Sequence, residues 1–183
     1  MQNKNFNLTV NDFLTREECD SIIKQYDSIS TPGEDKHLNY EKYDINFLKS
    51  TDNVLSVILN KRLPVLTDMY KQMYPEIDYT GSFWQLNNLR FKKYNPGKSY
   101  DRWHSEHSIR NPHRILNVII YLSDHNCGTE FSGYNKTIMS VKGRAVLFPA
   151  YFTHTHKGNI CPEKKDRYIV TGYINFVRKG EDE

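Results

Sequence analysis

The chain has 183 residues, 38% apolar and 26% charged, which suits one globular domain spanning 1–183 and excludes a disordered chain. No apolar run approaches the ~20 residues of a membrane span, and the opening MQNKNFNLTVNDF lacks the apolar stretch of a signal peptide, so a cytoplasmic location is the default expectation. A net charge of +3, from 25 basic and 22 acidic residues, is weak support for nucleic-acid binding.

The first half, to about residue 80, reads as helical support. Thr15 with Glu18 three residues on forms a capping box, and Cys19, Ile22, Ile23 and Tyr26 follow at helical spacing, predicting a helix over roughly 16–28. TPGEDKHLN (31–39) reads as loop. A second helical region runs from about Asp52 to Met73, with Pro64 expected to kink or divide it. From about 83 to 178 the texture changes to short β-type runs broken by turn signals: FWQLNNLRFKKY, ILNVIIYL, TIMSV, RAVLFP, FTHTH and RYIVTGYINF. That spacing predicts an antiparallel jelly roll or barrel buttressed by the N-terminal helices, an α+β fold. Three cysteines without a C-x-x-C pair, Cys19, Cys127 and Cys161, argue against a disulfide framework and are read as reduced.

Of the seven histidines, six lie between positions 104 and 156. WHSEHS places His104 and Glu106 two apart, hence on one face of a strand. FTHTHKG places His154 and His156 in the same relation. Two neutral imidazoles and one carboxylate on one side of a metal form the facial set of non-haem Fe(II) oxygenases, which leaves coordination positions open. The carboxylate and the lack of thiolate suit Fe(II) better than structural zinc. The remaining histidines read blandly: His37 and His125 as exposed turn residues, His107 and His113 as loop residues near the site. Trp103 should point away from the metal by alternation, and the Tyr100–Arg114 segment reads as a lid.

From 89 to 176 the chain resembles the prolyl 4-hydroxylase-like branch of the 2-oxoglutarate/Fe(II) dioxygenases. The resemblance runs through LRFKKYNPGKSYDRWHSEHS, NVIIYLSD, CGTEF, VKGRAVLFPAYFTHTHKGN and RYIVTGYINF, and NDFLTREECDSII is similar to the family's opening helix. It implies a double-stranded β-helix, with Fe(II), 2-oxoglutarate as cosubstrate and O₂ as cofactors and ascorbate as an optional addition. It implies hydroxylation of a C–H bond with succinate and CO₂ as co-products. A prolyl residue in a peptide is the first expectation for the substrate; a free amino acid, small metabolite or nucleobase is the alternative. A non-catalytic metal- or ligand-binding β-sandwich is the reading from another class. The partner is thus a peptide or small molecule, with no membrane, nucleic acid disfavoured and the oligomeric state open.

By the same resemblance, His104, Glu106 and His156 are the metal ligands and the catalytic set, with Glu106 where Asp is commoner. Counting forward from Pro149 favours His154 as the distal ligand, whereas counting back from Arg167, eleven residues after His156, favours His156. The second count is adopted, and His154 is then expected beside the same cavity. Arg167 matches the residue that pairs with the distal carboxylate of 2-oxoglutarate, a bidentate fit for a guanidinium. Thr171, four on and on the same strand face, and Tyr121 match hydroxyl donors to that carboxylate; Tyr94 matches a tyrosine near the metal-bound end. Trp84, Tyr100, Trp103 and Tyr134 are candidates to line a peptide groove.

Overall fold

A computed structural model describes residues 4–32, 40–45, 54–80, 83–86 and 89–177. Strand β1 (Leu8–Val10) leads into helix α1 (Arg16–Asp27), then β2 (Thr31–Pro32), β3 (Tyr40–Ile45) and helix α2 (Val54–Met73). A 3-10 turn (Pro75–Thr80) precedes β4 (Phe83–Leu86), β5 (Leu89–Tyr94), β6 (Arg114–Tyr121), β7 (Gly128–Phe131), β8 (Lys136–Met139) and β9 (Ala145–Pro149). A second 3-10 turn (Phe152–His154), β10 (His156–Gly158) and the long β11 (Arg167–Val177) complete the chain. His37 and residues 33–39 of the expected loop lie outside the described residues.

The capping box at the start of α1 is present in both directions. The Glu18 amide donates to Thr15 Oγ1 at 3.2 Å, and the Thr15 amide donates to Glu18 Oε2 at 2.7 Å. Two orphan amides of the first turn are thereby satisfied. Cys19, Ile22 and Tyr26 form the buried face of α1. Arg62 of α2 grips the same Glu18 with both terminal nitrogens, at 2.7 and 2.8 Å, and donates to the Phe13 carbonyl, so the second helix is pinned to the first one's N-terminus. Pro64 neither divides nor ends α2, which is continuous across it. Pro64 lies on the exposed side, while Leu63, Leu66 and Tyr70 at spacings of three and four carry the buried stripe.

The larger sheet orders its strands β1-β9-β6-β11-β5-β3-β2, with β4 paired to β11; the smaller runs β10-β7-β8. All pairings are antiparallel. The fold is a double-stranded β-helix supported by N-terminal helices. Strand alternation sorts the two cores. On β6, Leu116, Val118 and Ile120 join Phe91, Val170, Leu66 and Tyr70 under the helices, while Ile119 and Tyr121 face the small sheet with Phe131, Ile138, Phe148 and Ile169. The N-terminal half is less purely helical than its periodicity suggests. β1 adds to the edge at β9 (Leu8↔Leu147) and β3 adds to β5 (Tyr43↔Phe91), short segments whose partners lie far away in sequence. No helix among the described residues is long and apolar enough to cross a membrane.

Cys127 and Cys161 are joined as a disulfide, correcting the expectation that the cysteines are reduced. They lie 34 residues apart in sequence, and the fold brings their Cα atoms to 5.0 Å, a proximity that cysteine counting cannot see. Cys19 is free and fully buried in the helical core.

Candidate active site

His104, Glu106 and His156 each present a ligand atom within 4.8 Å of the others. The route differs from a plain two-residue strand repeat. His104 forms a single antiparallel bridge with the first residue of β10: its amide donates to the His156 carbonyl at 3.0 Å, and the His156 amide returns the bond at 2.9 Å. Beyond it, the Glu106 and His107 amides both donate to the Ala150 carbonyl, which turns the chain and brings the Glu106 side chain back to the histidines. Glu106 Oε1 then lies 3.4 Å from His104 Nε2.

Both rings are fixed by backbone carbonyls. His104 Nδ1 donates to the Arg102 carbonyl and His156 Nδ1 to the His154 carbonyl, each at 2.9 Å. Those bonds leave each Nε2 as an unprotonated lone pair, the tautomer a metal needs. Burial pushes His156 down to about 4, and the neighbouring His104 adds to the effect. Burial alone would lift the Glu106 carboxyl. The neighbouring His104, Lys92 and Arg114 outweigh it and bring Glu106 down to about 2. The cluster offers one carboxylate and two imidazoles, a donor set fit for a divalent transition metal.

His154 does not face this cavity. FTHTH is not one strand: its first part coils into the Phe152–His154 turn, and only His156 enters β10. The two histidines diverge, and His154 is buried with Nε2 2.8 Å from the Asn5 carbonyl and Nδ1 2.9 Å from Thr153 Oγ1. It borders a separate aromatic cavity with Tyr70, Tyr74 and Tyr134. Its carbonyl orients the His156 ring.

The pocket extends from the cluster between the two sheets, where Tyr94, Tyr121, Arg167 and Thr171 all line it. Register explains their convergence. Arg167 pairs with Tyr94 of β5, Ile169 with Tyr121 of β6, and residues 167, 169 and 171 share one face of β11. Arg167 is only 4% exposed; its Nη2 donates to Ser99 Oγ at 2.9 Å and its Nη1 to the Asn159 carbonyl at 3.2 Å. Its guanidinium lies over the Tyr94 ring at 4.7 Å. Burial disfavours its charge, yet among the described residues no carboxylate pairs with it. Arg167 Nε and Thr171 Oγ1 are buried without a hydrogen-bond partner. Such groups cost free energy unless a ligand meets them, and a carboxylate matches both. The Tyr121 hydroxyl donates to Thr129 Oγ1, which lines the same pocket, at 2.7 Å. Tyr94 is buried, which pushes its hydroxyl up to about 12.

Residues 89–175 match the family model of the 2OG-Fe(II) oxygenase superfamily. Over that stretch the chain is similar to the superfamily. An oxygenase of this kind uses iron(II), 2-oxoglutarate and O₂. Solved structures of similar fold include three prolyl hydroxylases. The viral collagen prolyl hydroxylase of Paramecium Bursaria Chlorella virus-1, in complex with 2-oxoglutarate, has a TM-score of 0.73 at 17% identity, covering 94% of this chain and 97% of that one. The prolyl-4-hydroxylase of Pseudomonas putida has a TM-score of 0.66 at 16% identity, covering 97% and 95%. A prolyl hydroxylase from Trichoplax adhaerens, bound to a hypoxia inducible factor peptide fragment, has a TM-score of 0.69 at 17% identity, covering 94% and 84%. No curated protein sequence gives a significant match.

Several residues of the oxygenase site escape a linear reading. Arg114 opens β6 and donates to Glu106 Oε2 at 2.8 Å. Ser99 and Thr129 meet Arg167 and Tyr121 only through the packing of loops and sheets. Tyr173, Asn117 and Lys92 also line the pocket; their inward-facing positions on β11, β6 and β5 were the available signal. Of the groove candidates, Tyr100 lines the pocket with its ring 4.2 Å from that of His104, and Trp103 lies outside it, 45% exposed beneath Lys157 Nζ. Trp84 lies elsewhere, under Lys71, and Tyr134 borders the His154 cavity. His125, expected to be exposed, is buried. His107 packs against Tyr151.

Proposed function

We propose that this chain hydroxylates a C–H bond of a prolyl residue in a peptide, with His104, Glu106 and His156 holding the iron and Arg167 holding 2-oxoglutarate. The observation that carries the reading is one pocket with two chemically distinct ends. One end gathers two imidazoles and a carboxylate; the other buries the guanidinium of Arg167 and the unpartnered hydroxyl of Thr171. A dicarboxylate bound to metal at one end and to a fork of donors at the other spans such a pocket. A passive binding module needs no such pairing of ends.

When bound, iron with 2-oxoglutarate and O₂ supplies the oxidation, releasing succinate and CO₂ and delivering one oxygen atom to the substrate. The residues of this chain position and shield that chemistry. The Arg102 and His154 carbonyls hold the ligand rings in the metal-binding tautomer, and Arg114 holds one oxygen of Glu106 so that the other faces His104. Arg167 and Thr171 fix the distal carboxylate, and Ile119 and Ile169 keep the walls beside it apolar. Tyr100 packs tilted against His104, and Trp103 nearby in sequence gives an exposed aromatic surface for an extended chain. The fold likeness to prolyl hydroxylases supports a prolyl substrate, and a polyproline-II segment loses little entropy on docking to aromatic groups.

The test is an aerobic incubation with Fe(II), 2-oxoglutarate, ascorbate and a panel of proline-rich peptides, free amino acids and nucleosides. Succinate formation coupled to one added oxygen on peptidyl proline is expected. Oxidation confined to a free amino acid or nucleoside removes the substrate assignment and leaves the reaction class. No 2-oxoglutarate-dependent succinate with any substrate removes both.

A further inference from the structure

Against Arg167, and built from residues outside the iron-type cluster, lies a second group of ligand-type side chains. A ring nitrogen of His125 and the sulfurs of Cys127 and Cys161 lie within 4.8 Å of one another, and all three residues are buried. Glu163 Oε2 lies 3.5 Å from His125 Nδ1. The residues arrive as two pairs, His125-x-Cys127 before β7 and Cys161-x-Glu163 before β11, so two loops close on one point.

We propose that, with its two sulfurs reduced, this group is a second metal site of the zinc class, with Cys127, Cys161 and His125 as ligands and Glu163 as the fourth. Its donors are already oriented by the backbone. His125 Nε2 donates to the Asp166 carbonyl at 3.1 Å, which leaves Nδ1 as a bare lone pair. Glu163 Oε1 accepts from the Asn126 amide at 2.7 Å, which leaves Oε2 turned toward the imidazole. Both His125 Nδ1 and Glu163 Oε2 are buried without a hydrogen-bond partner. An imidazole nitrogen and a carboxylate oxygen facing each other at 3.5 Å, with two sulfurs close to the imidazole, suit a shared cation.

Two thiolates, one imidazole and one carboxylate suit a tetrahedral zinc-class ion, whereas the thiolate-free iron-type cluster does not resemble them. Arg167 Nη1 lies 3.4 Å from Cys127 Sγ and 3.7 Å from Cys161 Sγ, so the guanidinium supports negative charge on both sulfurs. The disulfide and the metal site are alternative states of one pair. A phosphine reductant and water convert the disulfide to two thiols and phosphine oxide, and a divalent ion then displaces the two thiol protons. The site is built from residues outside the iron-type cluster and does not rest on the function proposed above.

The test uses the full chain, reduced with a water-soluble phosphine, freed of metal and titrated anaerobically with Co(II). A sulfur-to-cobalt charge-transfer band corresponding to one bound ion per chain is expected. It persists in His104→Ala, which disables only the iron-type cluster, and vanishes in Cys161→Ser. Zinc affinity, read by competition with a chromophoric chelator, falls at least tenfold in His125→Ala. If Cys161→Ser does not fold by circular dichroism, His125→Ala and Glu163→Gln decide, and unchanged zinc affinity in both overturns the proposal. Absence of the band in the reduced chain overturns it, as does survival of the band in folded Cys161→Ser. So does alkylation of Cys19 alone after reduction and denaturation, which would make the pair a reduction-resistant disulfide.

Discussion

Arg114 Nη1 lies 2.8 Å from Glu106 Oε2, while the Arg114 guanidinium stacks 3.5 Å above the Tyr173 ring. With Glu106 in the proposed iron-binding role, this contact accounts for a glutamate where an aspartate is commoner. The extra methylene gives the carboxylate freedom, and Arg114, itself held against an aromatic face, takes that freedom away.

Arg114→Gln is therefore expected to weaken Fe(II) binding by about 10–100-fold, the usual range for an outer-shell partner of a metal ligand, while the fold persists. Half-saturation of turnover by Fe(II), read beside circular dichroism, checks this. An unchanged Fe(II) dependence would show that Glu106 needs no such support.

The two histidines of FTHTH should separate cleanly. His156→Ala is expected to abolish stoichiometric Fe(II) binding. His154→Ala should retain the metal but lose about 1–3 kcal/mol of stability, because a buried side chain and its bond to the half-buried Asn5 carbonyl are removed. Metal content and urea unfolding of both variants test the pair. Loss of metal in His154→Ala with retention in His156→Ala would reverse the assignment.

Acid should destabilise the chelator-treated protein through the same ligands. Burial lowers His156 in the folded chain from 6.5 to about 4, so between those values the unfolded chain takes up the proton first. Stability is full above pH 6.5 and is lost as pH falls through about 4. Glu106 acts with the same sign over a lower window, from 4.5 to about 2. Urea midpoints measured from pH 7.5 to 4.5 should fall, less steeply in His156→Gln than in the parent chain. A midpoint that rises on acidification contradicts the sign.

Strand patterning made the jelly roll legible because half-buried strands impose a two-residue period that survives in any sequence folding this way. The same period places Arg167, Ile169 and Thr171 on one face of β11. It failed at FTHTH, where a 3-10 turn separates His154 from His156 although both occupy alternate positions. Arg114, Ser99 and Thr129 could not be read from the chain, since each matters only through a partner on another element. The Cys127–Cys161 pair is of the same kind: nothing local marks either residue, and the joining of the β6–β7 and β10–β11 loops makes them neighbours.

The end of the pocket proposed to hold 2-oxoglutarate offers three substitutions with different signatures. Arg167→Ala leaves the distal carboxylate without its cation, which should cost roughly 2–5 kcal/mol of binding. Thr171→Val replaces a buried, unpartnered hydroxyl with a methyl, so the ligand-free protein should melt no lower than the parent while 2-oxoglutarate binds more weakly. Gly158→Ala acts indirectly. A Cβ there would come within 2.6 Å of Ser99 Oγ and 3.1 Å of Arg167 Nη2, pushing the guanidinium off its bond to Ser99. Its KM for 2-oxoglutarate should rise with Fe(II) dependence unchanged. Titration of 2-oxoglutarate against succinate formation, with thermal melts of each ligand-free variant, reads all three. If Arg167→Ala and Thr171→Val both keep the parent KM, the carboxylate is held elsewhere in the pocket, and Lys92, which lines it beside the iron-type cluster, becomes the residue to remove next.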